Sequence, residues 1–357
     1  MTIDGPGLQV LHGLKLTELD AFMAACIPAQ VPAGTLLIAE GDEDRSMLFV
    51  RDGELEIFVG QPPHEVVVGR LDRGAHAGAV GLLRLVDQRM ASVRTRTQSD
   101  LLVLERAGLE RLDSDGNSVV SNLEVDILHA LIERLRELTN HLVRLTEGRD
   151  SLPSLPGQSA SVWARMRRYL VGEDEPEEFE PDVAEALQIC PELRGLSPEV
   201  LELLLPQLSP VAVGEGERLC DQDGDVGDAY MVVSGRIGMY RSTRLGGPML
   251  LAELGLGDLL GIEGIIDFGS PLGTLVALEP SWLLRIPKAL CGEAVVMRTP
   301  VARTLRRAMM GAAARRLQVT TRRLVQLGTT QVHEGKVAGE EANEVLRLAL
   351  SSATALC

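Results

Sequence analysis

The chain repeats itself at a fixed distance, and that distance limits what it can fold into. Gly13, Gly34 and Gly53 return as Gly195, Gly216 and Gly235, each 182 residues later, while Gly74 and Gly78 return as Gly257 and Gly261 at an offset of 183. Solenoid repeats are far shorter, so this spacing predicts two copies of one domain-sized unit. The 357 residues leave room for both copies and for helical extensions, each copy burying its own core.

Each copy has the same grammar of a helix followed by short strands. Leu11, Leu14, Leu19 and Phe22 recur at roughly helical spacing, and β-rich segments follow at Leu36 to Ala39, Met47 to Val50, Leu55 to Val59, Val66 to Leu71, Ser92 to Thr97 and Leu101 to Leu104. The second copy has a helix over Leu196 to Leu204 and strands at Tyr230 to Val233, Ile237 to Tyr240, Met249 to Leu254, Thr274 to Leu278 and Trp282 to Ile286. Short strands with glycine-marked corners predict a mainly β fold with flanking helices: two small antiparallel β-barrels of jelly-roll type, each followed by a long helix. The boundaries read as copy one over 8–118, a long helix over 119–148, a linker over 149–185, copy two over 186–292 and C-terminal helices over 293–357.

Within the first long helix, Leu128, Leu131, Leu135, Leu138, Leu142 and Leu145 step by alternating threes and fours, the seam of a coiled coil. This predicts a dimer helix and a homodimer; the alternative is a leucine stripe packed on its own barrel. The linker joins a Pro, Ser and Gly mixture to an acidic run and predicts a tether. Inside it, Val162 to Val171 is an island of Trp, Tyr and Arg that reads either as a docking peptide for a protein partner or as a short helix on a barrel. In the C-terminal helix, Pro300 to Leu327, the arginines Arg303, Arg306, Arg307, Arg315, Arg316, Arg322 and Arg323 read as a solvated face pairing with the protein's own acidic surface. An amphipathic segment, Glu341 to Leu350, follows.

A formal net charge of −16 and a pI near 4.9 give a surface that repels polyanions, so neither nucleic acid nor an anionic membrane is expected as a partner. No leader pattern and no apolar run of about eighteen residues is seen, which predicts a soluble, cytoplasmic protein. Cys26, Cys190, Cys220, Cys291 and Cys357 lack CxxC pairing, and His12, His64, His76, His129, His141 and His333 lack ligand spacing, so no disulfide framework, metal or cofactor is expected. No serine lies in a nucleophile elbow and no carboxylate pair stands out, which argues against an enzyme.

The chemistry concentrates in GAHAGAVGLLRLVDQRMASV, which follows Arg73. Gly78 and Gly81 open a short helical turn where an anion can approach closely, and Arg89, eleven residues after Gly78, returns to aim a guanidinium at it. Together with GTLLIAEGD and MLFVRDGELEIF, this layout resembles the cyclic-nucleotide-binding domain of catabolite-activator-type regulators and protein kinase A regulatory subunits, over about 110 residues in each copy. The resemblance implies a phosphate-binding cassette at Gly78, Ala79, Val80, Gly81 and Leu82, then Arg89, Met90 and Ala91, with Arg89 on the phosphate and cAMP or cGMP as ligand. Two positions depart from the family pattern. Ala79 stands where the family has a glutamate for the ribose hydroxyl, and Met90 stands where it has Ser or Thr.

In the second copy, Gly257 and Gly261 persist, but Ile262 fills the glutamate position and Pro271 or Leu272 the arginine position, while Glu263 lies one residue late and is expected to point away. Without a cation, a buried phosphate there is unpaired. Two readings follow for the whole chain. It is either a non-enzymatic regulator that senses a cyclic nucleotide through copy one and signals through the long helix, or a degenerate scaffold for protein interaction that binds no nucleotide. The place of a DNA-binding helix-turn-helix after the long helix is taken by the linker and second copy.

Overall fold

The structure, a computed structural model, describes residues 11, 13–60, 65–85, 88–145, 181–242 and 248–333. The Val162 to Val171 island, the linker as far as Glu180 and the Glu341 to Leu350 segment lie outside the described residues.

The first copy opens with α1 (Leu16–Ala25) and continues through β1 (Cys26–Val31), β2 (Leu36–Ile38), β3 (Ser46–Asp52), β4 (Leu55–Val59), β5 (Val66–Leu71) and β6 (His76–Ala77). A one-turn helix, α2 (Ala79–Leu82), precedes β7 (Ser92–Thr95) and β8 (Ser99–Glu105), and α3 (Arg106–Ser114) and α4 (Ser118–Leu145) follow. The strands form two antiparallel sheets in the orders β1-β8-β3-β6 and β2-β7-β4-β5. One apolar cluster draws Leu48, Val50, Ala77 and Leu101 from the first sheet and Ile38, Leu55, Ile57, Val59 and Val93 from the second, so the core lies between them. In β3 the expected alternation is lost, because Phe49 on the far face is covered by Phe22 of α1 in an edge-to-face contact with ring centroids 5.3 Å apart.

The second copy comprises α5 (Val183–Leu187), α6 (Pro198–Leu204), β9 (Ser209–Val213), β10 (Arg218–Cys220), β11 (Ala229–Ser234), β12 (Ile237–Ser242), β13 (Pro248–Leu254), β14 (Leu259–Leu260), α7 (Ile262–Ile266), β15 (Thr274–Ala277) and β16 (Ser281–Ile286). It ends in α8 (Lys288–Val296) and α9 (Pro300–His333). Its sheets run β14-β11-β16-β9 and β10-β15-β12-β13, the same order strand for strand as in copy one. The fold is thus a jelly-roll in duplicate, with two four-stranded sheets in each copy in place of a continuous closed barrel.

The repeated glycines mark one backbone device. Gly53 and Gly235 adopt φ of +97° and +85° at matching tight turns, where a Cβ would meet the carbonyl of Gln98 or of Pro280 at 2.8 Å and crowd the serine that follows. Gly34, at +83°, has nothing within 4 Å of its missing Cβ.

The compact unit containing the first copy also takes in α4 as far as Asn140 and α9. On α4, Leu128, Leu131, Leu135 and Leu138 are wholly buried within the single chain and Leu142 nearly so; the Leu145 side chain lies outside the described residues. The arginine face of α9 is not simply solvated. Arg306 is fully buried and Arg323 nearly so, and Arg303, Arg306 and Arg307 reach the carboxylates of Asp113 and Glu124. The N-terminus of α4 is held by Glu18 of α1, whose carboxylate accepts from the backbone and hydroxyl of Ser118 at 3.1 and 2.5 Å, and the Ser118 hydroxyl also accepts from Arg298.

Two outcomes are expected from this packing. Gly53→Ala should lower unfolding stability by about 1 to 3 kcal/mol in a urea titration, while Gly34→Ala, which meets only the cost of a positive φ, should lose about 1 kcal/mol; equal losses would refute the crowding argument. The hydrogen bond from Ser118 draws the Glu18 pKa from 4.5 down to about 2. A carboxyl depressed on folding stabilises above its unfolded pKa and loses that contribution as pH falls. The stability gap between the wild type and Glu18→Gln should therefore close as pH drops from about 4.5 to about 2, and a gap independent of pH in denaturant midpoints would rule this out.

Candidate functional site

The turn between β6 and β7 in the first copy is shaped by two missing side chains. Gly78 caps α2 in the left-handed conformation at φ +94°, and a Cβ there would press on the Ser46 carbonyl and come within 3.1 Å of Arg89 Nη1. At Gly81 a Cβ would overlap the guanidinium itself, 2.9 Å from Cζ of Arg89. The arginine therefore occupies the space that the glycine leaves open.

Arg89 is 3 % exposed. Its Nη1 donates to the Gly78 carbonyl at 2.9 Å, and its Nη2 donates to the Ser46 carbonyl at 2.5 Å and to Asp44 Oδ2 at 3.0 Å. The backbone is clamped as well: Arg89 N donates to Asp42 O and Gly41 N donates to Arg89 O. Its Nε is buried and has no acceptor. An unmade hydrogen bond of a charged group in such a place is costly.

Asp44 is the group that holds this cation. Half of its side chain is exposed, and its Oδ2 also accepts from the backbone and hydroxyl of Ser46. Partial burial pulls the Asp44 pKa up, but the Ser46 hydroxyl, the Arg89 hydrogen bond and the guanidinium charge outweigh it, and the carboxyl titrates below its ordinary value. Two further arginines reach the carbonyl end of α2. Arg45 donates to Gly81 O at 3.4 Å, and Arg106, which also pairs with Glu110, donates to Leu82 O at 3.0 Å.

The other residues of the predicted cassette divide by depth. Ala79, Val80, Gly81 and Leu82 are buried, and Ala91 joins the core between the sheets. Met90 is half-buried, and its sulfur accepts from Nε2 of Gln318 on α9 at 3.7 Å, which places that helix beside the cassette. Spacing alone finds Gly78, Gly81 and Arg89 and the structure unites them. It does not find Asp44, Ser46 and Arg45, whose segment EDRS looks like an ordinary polar turn, nor Gln318.

The second copy builds the same turn around a different filling. Gly261 caps α7 at φ +78°, and the Asp228 carbonyl faces it as the Ser46 carbonyl faces Gly78. Over Gly264, the counterpart of Gly81, a Cβ would meet Val226 Cγ2 at 2.7 Å and the Gly269 carbonyl at 3.1 Å. Val226 is the counterpart of Asp44 at the 182-residue offset, so an aliphatic side chain and a loop backbone occupy the space that the guanidinium takes in copy one. Pro271 and Leu272 are buried, as is Ile262. Glu263, one residue beyond the glutamate position, is 2 % exposed. The loop that replaces the arginine carries Phe268 at φ +53° and almost fully exposed, a conformation that side chains other than glycine rarely adopt.

Comparison with known proteins identifies the domains that carry these two turns. The family model of the cyclic nucleotide-binding domain matches twice, over residues 28–115 and 210–294. The cyclic AMP receptor protein of Thermus thermophilus is 37 % identical over 98 residues, which cover 27 % of this chain and 44 % of that one, so the match spans less than half of the curated relative. Among solved structures, the regulatory domain of Toxoplasma gondii PKA with cAMP is 18 % identical, covering 78 % of this chain and 85 % of that chain with a TM-score of 0.28. The Thermus thermophilus catabolite activator protein is 22 % identical over 38 % of this chain and 71 % of its own, with a TM-score of 0.30. With the same strand order twice over and a family match on each copy, the chain carries two cyclic nucleotide-binding domains in tandem.

Proposed function

We propose that the protein is a regulator that binds one cyclic nucleotide per chain, in the first domain, with Arg89 as the anchor for the phosphate. The observation that carries this reading is the buried Arg89 guanidinium over Gly81, with Nε lacking an acceptor and Nη2 held by a carboxylate that is half in solvent. An incoming phosphate satisfies Nε and displaces Asp44, trading a half-exposed ion pair for a bidentate one. The family match and the name of the Thermus relative support a cyclic nucleotide as the ligand. Ala79 offers no carboxylate to the ribose, so phosphate contacts dominate affinity at this site. The second domain binds none, because Val226 covers Gly264 and no arginine follows where Pro271 and Leu272 stand.

Signalling runs through Met90. The residue beside the anchor touches Gln318 of α9, so a ligand that draws Arg89 away from Asp44 shifts the contact between the cassette and that helix, provided that its affinity differs between the two arrangements. The ligand-free scaffold is the second reading. Ala79 and the Asp44 pair favour it, since Asp44 already supplies the negative charge that Arg89 needs.

Isothermal calorimetry with cAMP and cGMP tests both readings. The wild type should bind one equivalent, Arg89→Ala should lose affinity by roughly a hundredfold, and Asp44→Asn should gain several-fold by removing the competing charge. Absence of heat with both nucleotides for the wild type and for Asp44→Asn would leave the scaffold reading. Two equivalents per chain would refute the assignment of the second domain.

A further inference from the structure

The two long helices begin 182 residues apart, α4 at Ser118 and α9 at Pro300, the same offset as the glycines of the turns. Glu124 and Arg306 are also 182 apart and are therefore the same position in the two copies. They touch: Arg306 Nε donates to Glu124 Oε2 at 3.0 Å, both side chains are essentially without solvent contact, and Arg307 donates to Glu124 Oε1 at 2.6 Å. The remaining donors of Arg306 go to the carbonyls of Ala294 and Met297 and to the Ser121 hydroxyl. Nearer the start of α4, Ser118 and Asn122 accept from Arg298, which lies just ahead of α9, and Ser121 and Glu124 accept from Arg306 on it.

When two identical helices pair about a two-fold axis, the position on the axis meets its own copy in the other subunit. Here the position meets its duplicate within one chain. At the same offset, Met310, Ala313, Leu317 and Thr320 of α9 correspond in sequence to Leu128, Leu131, Leu135 and Leu138, and all eight are buried. The leucine seam of α4 is thus covered within its own chain, in the same compact unit as α9.

We propose that Glu124 and Arg306 select this pairing, so that α9 of the same chain, and not a second copy of α4, fills the seam, and the protein is a monomer. Two α4 helices brought together would set one Glu124 against another in a buried place, and two α9 helices would do the same with Arg306. Only α4 with α9 joins opposite charges, and an unpaired buried charge penalises each alternative. The inference is independent of ligand binding.

Sedimentation equilibrium and thermal melting of the full chain test it. The wild type should run at one chain mass, 38.5 kDa; a stable two-chain mass would overturn the proposal, whether the second chain docks or swaps helices. Glu124→Arg should lower the melting midpoint by about 10 °C and populate larger species, and the exchange Glu124→Arg with Arg306→Glu should recover part of the loss. If Glu124→Arg does not fold, Glu124→Gln should still lower the midpoint. A single variant indistinguishable from the wild type, or an exchange no better than Glu124→Arg, would show that the pair does not select the partner.

Discussion

The space above one backbone position governs this molecule. At Gly81 and Gly264 the short helix after the sixth strand of each copy lacks a Cβ, and what lies on that bare floor differs: a guanidinium in copy one, Val226 with a loop carbonyl in copy two. A cation enclosed among carbonyls draws acceptors to its donors, and Asp44, Ser46 and Gly78 converge on the two terminal nitrogens of Arg89 while Nε has none. A valine needs none. The surrounding strand order is the same in both copies, so the two sites diverge through a few side chains while the fold that presents them is kept.

The second constraint is charge burial between α4 and α9. Glu124 and Arg306 are removed from water, and Arg307, Ser121 and two carbonyls complete their hydrogen bonds. Such a group stabilises only as a complete set. It joins α9 to the first domain, where Gln318 reaches Met90, the residue next to Arg89. A change at Arg89 therefore has a physical route to α9, in the same compact unit.

Much of the fold was legible because it is written in local pattern. Short β-rich segments between glycine corners located the central strands of both copies, and absence of Pro and Gly from Val119 to Leu145 marked the long helix. Five strands escaped, β1, β6, β9, β10 and β14, and three of them have local reasons. Cys26–Val31 carries Pro28, tolerated because β1 lies at a sheet edge, and the two-residue strands β6 and β14 are too short to show any period. Of the site, the Gly78, Gly81 and Arg89 spacing could be read directly. Asp44 could not, because its role depends on the arginine 45 residues away that folds back onto it.

Residue type and interval along the chain are enough to establish two copies of one β unit, glycines at the turns of each, and an arginine at cassette spacing in the first alone. Tertiary structure alone decided what each buried group faces: Asp44 before Arg89, Val226 over Gly264, Arg306 against Glu124, Gln318 beside Met90. Helix and strand periods report which side of an element is apolar, but not which distant element covers it. A buried charge is satisfied by whatever the fold brings within 3 Å, and in this chain that partner comes from 45 or 182 residues away.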